Sequence, residues 1–210
     1  MRVAVGSDVS RDSRQAELDR HLEAMSLFVE RASGQECGAR RCTMILRAAD
    51  SAPARALIAM KDTLVGARVG AQAILAKLEP QDDLRQLFAA LSELSPEEPA
   101  SRLIRWARNP RLLNAHEQAT YGSSMCWSGD AMRRDADKRN PLVLFDLESA
   151  DAAELARLSF QALWGVSAPV PARHLVARAH AKPSGAYEQA PEAPVAALRR
   201  SFQGWPLVRH

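Results

Sequence analysis

The chain has 210 residues, 47% hydrophobic and 25% charged, with a formal charge of +3 and only 5% aromatics. These values fit one globular domain with a tail, large enough to need no metal or disulfide staple. Three cysteines are an odd number, which does not suit a secreted disulfide framework. The opening MRVAVGSDVSRDSRQAE soon turns polar, so no leader is expected. No apolar run approaches the ~18–20 residues of a membrane span. A soluble chain in a reducing, cytoplasmic compartment is the expectation. Ala, Leu and Arg dominate the composition, which favours packed helices over a sheet of β-branched residues.

Taken in order, residues 1–11 read either as a short strand (MRVAV) or as a loose start. From Asp12 or Ser13 the spacing becomes helical: Leu18, Leu22, Met25, Val29 and Ala32 share one face, and Gly34 supplies a stop. The segment 42–48 alternates, with Cys42, Met44 and Leu46 facing one way and Thr43, Ile45 and Arg47 the other. It reads as a strand with no obvious ladder partner.

Asp50-Ser51 followed by Pro53 starts a second helix, expected to run to Leu78 with Leu57, Leu64, Ala67, Ala71 and Ile74 on its stripe. Gly66 and Gly70 then share a face and would mark the close approach of another helix. A third helix opens after Pro80, where Asp82 and Asp83 suit a helix N-terminus and Leu84, Leu87, Phe88 and Leu91 fit the template. A fourth spans 100–108 and ends at Asn109-Pro110.

Near 150 the signal strengthens again. Asp151 with Glu154 resembles a capping box. Leu155, Leu158, Phe160, Ala162, Leu163 and Trp164 are apolar over most of the circumference, as expected of a helix central to the core. Gly165 ends it. Six of the 12 prolines (169, 171, 183, 191, 194 and 206) follow, so 166–192 reads as flexible linker. Val195, Leu198, Phe202 and Trp205 then recur at helical spacing, as a short docking motif would. The expected architecture is mainly α: one domain of five or six helices over 1–165, at most a minor short strand pair, and a flexible tail over 166–210 ending in the 195–207 motif.

Chemistry-bearing residues concentrate between Arg102 and Leu142. In the helix expected at 100–108, Leu103, Ile104 and Ala107 form the apolar arc. Arg102, Arg105, Trp106 and Arg108 fall outside it, an Arg/Trp face of the kind found at interface hot spots. Arg133, Arg134, Lys138 and Arg139 could track a phosphate backbone, although Asp130, Asp135 and Asp137 interrupt them. Cys126 has His116, Asp130 and two arginines near in sequence, the ingredients of an activated thiol, yet Met125 and Trp127 beside it look like core.

The cysteine spacing gives no metal site, HEQATY lacks a zinc-protease second histidine, and no glycine-rich nucleotide loop occurs. No cofactor is expected. Three functions remain as expectations. The first is a non-enzymatic interaction or regulatory protein using Arg102, Arg105, Trp106 and Arg108 together with Leu198, Phe202 and Trp205, binding a protein partner or itself. The second is a nucleic-acid-binding regulator acting through the basic 102–139 region. The third is a thiol-dependent enzyme built on Cys126.

Overall fold

A computed structural model of the chain describes residues 6–32, 40–134 and 144–176, with side chains from Ser13 onward. It overturns the mainly helical expectation. The body is a seven-stranded mixed sheet in the order β6-β5-β4-β1-β2-β3-β7. The strands are β1 (Arg41–Leu46), β2 (Gly70–Leu75), β3 (Ile104–Trp106), β4 (His116–Tyr121), β5 (Met125–Ala131), β6 (Leu144–Asp146) and β7 (Ala168–Pro169). The helices are α1 (Gly6–Ala32), α2 (Ala52–Ala59), α3 (Lys61–Gly66), α4 (Gln81–Leu94), α5 (Ala100–Leu103), α6 (Ala150–Val166) and α7 (Ala172–Leu175). The protein is therefore α/β, and "helical" does not describe it.

The sheet is parallel at its centre and antiparallel at both flanks. Strands β1, β2 and β3 run parallel, joined by crossovers carrying α2–α3 and α4–α5. Parallel neighbours need such crossovers because a hairpin cannot return the chain in the same direction. Strand β4 then comes back on the far side of β1, antiparallel to it, and β5 and β6 follow as an antiparallel meander. Strand β7 closes the other edge against β3.

The alternation read in 42–48 is real, and the strand is central rather than isolated. Cys42, Met44 and Leu46 join Ala73, Leu75, Tyr121 and Trp127 on one face, beneath Met25, Phe28, Leu57, Leu64, Leu84, Leu87 and Leu91 of α1 to α4. Ile45 and Ile74 face the other way, toward Phe160 of α6. Strands buried on both faces lose the polar alternation that identifies a strand. For that reason β2, whose Ala71, Ala73, Ile74 and Leu75 are all buried, reads as the end of a long helix.

The expected 51–78 helix stops for a second reason. Arg68 takes a left-handed φ of 55°, the Arg68 N–H donates to Val65 O and the Val69 N–H to Leu64 O, 3.0 Å each. This is a glycine-type helix stop with arginine in the left-handed place. Gly66 and Gly70 flank that position, and neither marks a helix contact. A Cβ on Gly66 would meet nothing within 4 Å, and one on Gly70 would sit at ordinary distance from Ser95.

The helix expected at 100–108 is likewise one turn, α5, running straight into β3. The N-cap of helix α6 lies two residues before the expected Asp151. Ser149 is its N-cap, with Oγ accepting the Ala152 N–H at 3.2 Å. Past Gly165 the chain continues as β7 and α7, so ordered structure extends beyond the expected start of the linker. The docking motif at 195–207 lies outside the described residues. Among those described, no helix is long and apolar enough to cross a membrane.

Candidate functional site

In a sheet of this kind the chain leaves β1 toward β2 on one side and returns as β4 on the other. The carboxyl end of β1 is thus a topological switch point, where open α/β sheets commonly bind ligands. Here that point holds a buried ion pair. Glu117 (1% exposed) sits at the irregularity in the β4–β5 register between His116 and Gln118. Its Oε1 accepts the Arg47 backbone N–H at 3.0 Å and the Ser51 hydroxyl at 3.3 Å, and Oε2 lies 3.7 Å from Arg47 Nη2. Arg47 is itself only 7% exposed. Two buried charges that bridge a strand end, a helix start and a neighbouring strand fix the geometry of this corner, and their burial closes them to a large ligand.

His116, beside the pair, is exposed. Its Nδ1 lies 2.9 Å from the Gly129 carbonyl. A carbonyl only accepts, so Nδ1 carries the proton and Nε2 is the acceptor of the neutral ring.

Around this corner the loops after β1, β2 and β3 are stitched together. Lys77 N donates to Arg47 O at 2.7 Å, Ala107 N to Leu75 O at 2.8 Å, and Arg133 N to Leu113 O at 2.9 Å. Lys77, Arg108, Arg111 and Arg133 are exposed at this edge, against exposed Asp50 and Glu79. Arg108 lies over the Trp106 ring, 5.8 Å from its centroid. Arg108, Arg111 and Arg133 belong to the basic 102–139 region of the sequence, whereas Lys77 is isolated from it and only the loop geometry adds it to them.

The Arg/Trp face read at 100–108 is dispersed by the change from helix to strand. Arg102 stays at the opposite edge, paired with Glu98 at 3.4 Å. Arg105 donates to Trp164 O at 2.7 Å and Ser167 O at 3.2 Å, and its guanidinium lies 5.0 Å from the Trp164 ring centroid. It therefore holds the carbonyl end of α6, where a cation suits the helix dipole. The Trp106 indole N–H donates to Ala76 O at 3.2 Å. Only Arg108 of that set reaches the basic rim.

In the second cluster, Arg134 pairs with Asp130 at 2.8 Å and Arg133 joins the rim. Lys138 and Arg139 lie outside the described residues, as do Leu198, Phe202 and Trp205.

Cys126 is buried against Ala153 and Ala156 of α6. Burial, and then the Asp146 carboxylate, push its thiol pKa up, which suppresses the nucleophilic thiolate. In the ladder Cys126 is paired with Thr120, four residues along β4 from His116 and so about 13 Å away. Asp130 Oδ1 accepts the neighbouring Ala131 N–H at 2.7 Å. The three residues are not assembled as a thiol site. Among the described residues no three His, Cys, Asp or Glu side chains are grouped to hold a metal ion.

The largest discrepancy lies on α6. Its buried face presents Ala153, Ala156 and Phe160 to the sheet, while Leu155 is 67% exposed, Leu158 50% and Val166 66%. Ala162 and Gly165 are exposed between them. The expectation of a fully buried helix fails here because the sheet covers one side only. The apolar circumference was visible in the sequence; which side of it meets water was not.

No family model, curated protein or solved structure gives a match to this chain.

Proposed function

We propose that this protein is a non-enzymatic interaction protein that makes its main contact through the outer face of α6. One observation carries the reading: three large aliphatic side chains, Leu155, Leu158 and Val166, are half or more exposed along a single helix. A patch of this kind on a well-packed body is a common mark of a protein-binding surface. The 195–207 motif, with Leu198, Phe202 and Trp205, is a second contact in this proposal. A cytoplasmic location accords with Cys42 and Cys126, which are both free thiols.

The test is a pull-down read by mass spectrometry with the intact chain, with Leu155→Glu plus Leu158→Glu, and with Leu198→Glu plus Phe202→Glu. Loss of specific partners in the first variant supports α6, and loss in the second supports the terminal motif. Identical partner sets in all three would overturn the proposal.

A second reading rests on the rim of Lys77, Arg108, Arg111 and Arg133. Four exposed cations at one sheet edge suit a polyanion such as a nucleic acid, and binding would then weaken steeply with salt. Gel retardation at low salt tests it, with Arg108→Ala plus Arg133→Ala expected to reduce affinity and flatten the salt slope. An unretarded DNA or RNA probe would remove this reading.

A further inference from the structure

The exposed residues of α6 follow a narrower rule than general apolarity. Leu155, Leu158, Ala162 and Gly165 are separated by three, four and three residues, which is the a/d spacing of a helix–helix seam. The occupant of such a stripe is another helix. Large residues fill the first half of the stripe and small ones the second, so a helix running antiparallel with the same sequence is complementary to it. A two-fold axis opposite residue 160 places Leu155 on Gly165 of the other copy and Leu158 on Ala162, then repeats both layers in reverse. Each leucine meets a small residue, and the two backbones can approach closely.

Two independent features agree. From Leu158 to Val166 the helix has no ionisable residue. Of the charged neighbours, Glu154 and Arg157 are paired with each other, and the two-fold sets Asp151 beyond the end of the other copy's helix, so no like charges are brought together.

Gly165 is the second feature. It is the penultimate residue of α6, and without a side chain it leaves the exposed stripe flat at that end. The left-handed φ values among the described residues belong to Arg68 and Gly122, and a Cβ built on Gly165 meets nothing within 4 Å in the protomer. A second chain can therefore approach the backbone closely at this end of the stripe.

We infer that the protein forms a symmetric dimer through antiparallel pairing of α6 with α6 of a second copy. The inference rests on the interaction reading above and names its partner. Three aliphatic side chains with two small residues form a patch well short of the about 800 Å² per partner of a standard interface. The dimer is therefore weak and reversible, with a dissociation constant on the order of tens of micromolar or weaker.

Sedimentation of the full chain over a wide concentration series tests it. The expected result is a monomer–dimer equilibrium that Leu158→Glu abolishes and Gly165→Leu weakens by about tenfold or more. Gly165→Leu should at the same time leave the dilute monomer as stable as before, or more so, because its side chain has room there. Leu198→Glu plus Phe202→Glu should leave the equilibrium unchanged. A dimer that persists in Leu158→Glu and Gly165→Leu overturns the α6 seam. A monomer at every concentration overturns the dimer as well; if Leu158→Glu still loses a different protein in the pull-down, the interaction reading survives that result.

Discussion

The two faces of the sheet are finished differently. On one, α1 to α4 lie side by side over β1, β2, β4 and β5, and Met25, Phe28, Leu57, Leu64, Leu84, Leu87 and Leu91 are fully enclosed. On the other, α6 is the main cover, and the 3-10 turn Pro110–Asn114 adds Leu112 and Leu113. A helix flanked by others has its remaining apolar width covered by those neighbours. A helix lying alone on a sheet buries one stripe and presents the rest to water. The same residue types therefore stabilise the fold on the first face and are available for binding on the second. This contrast separates substitutions that unfold the protein from those that alter only its contacts.

The largest expected effect lies at the corner joining the faces. Glu117→Ala leaves the Arg47 charge buried without its carboxylate and should lower stability by about 3–5 kcal/mol, read as a fall in the urea midpoint at constant slope. Replacing both, as Arg47→Met with Glu117→Leu, should recover most of that loss. On the covered face, Leu87→Ala opens a cavity and should lose about 2–5 kcal/mol by the same measurement.

Acid provides a third contrast. His21 is fully enclosed on the covered face, 2.6 Å from the Tyr121 hydroxyl and edge-on to Trp127. Burial holds its pKa down to about 3. The native ring is neutral, while the unfolded chain binds a proton near pH 6.5. Its contribution is therefore complete above about pH 6.5 and is lost progressively as pH falls toward 3. Between pH 7 and pH 5 the loss is about 2 kcal/mol. Chemical denaturation across that range should show the slope in the wild type and a flatter one in His21→Phe. Equal slopes would contradict a neutral buried ring.

Gly129→Ala is smaller. Its Cβ would lie 2.7 Å from the Trp127 ring, and displacing that indole should destabilise by about 1–3 kcal/mol, visible as a lower thermal midpoint.

Several of these features were legible in the sequence and others were concealed for definite reasons. The face division of β1 was visible because Cys42, Met44 and Leu46 alternate with Thr43, Ile45 and Arg47. Helices α1 and α4 were legible because each has a polar side. Strand β2 was hidden by burial on both faces and by a helix stop that uses Arg68 where glycine is usual. The β4–β5 hairpin was hidden by Glu117, Gln118 and Thr120. These polar residues are accommodated by the ion pair, the strand irregularity and the 2.6 Å hydroxyl contact between Thr120 and Thr43.

The basic rim was legible only in part, because Arg108, Arg111 and Arg133 lie in the basic 102–139 region while Lys77 is remote from it. Lys77, Arg108, Arg111 and Arg133 come from the loops after β2, β3 and β5, and only the parallel order of β2 and β3 with the antiparallel return through β4 to β5 brings those loops to one edge. The apolar circumference of α6 was legible. The side left uncovered depended on how many helices share its face, which no local pattern records.

Leu155→Ala closes the series, with a stability change expected within about 0.5 kcal/mol and reduced association. The most direct measurement follows leucine methyl resonances of the full chain as its concentration rises. Those of Leu155 and Leu158 should shift along a saturating curve while those of Leu57 and Leu87 stay fixed. Resonances of Leu155 and Leu158 that remain fixed over the whole range would contradict α6 as the self-contact surface.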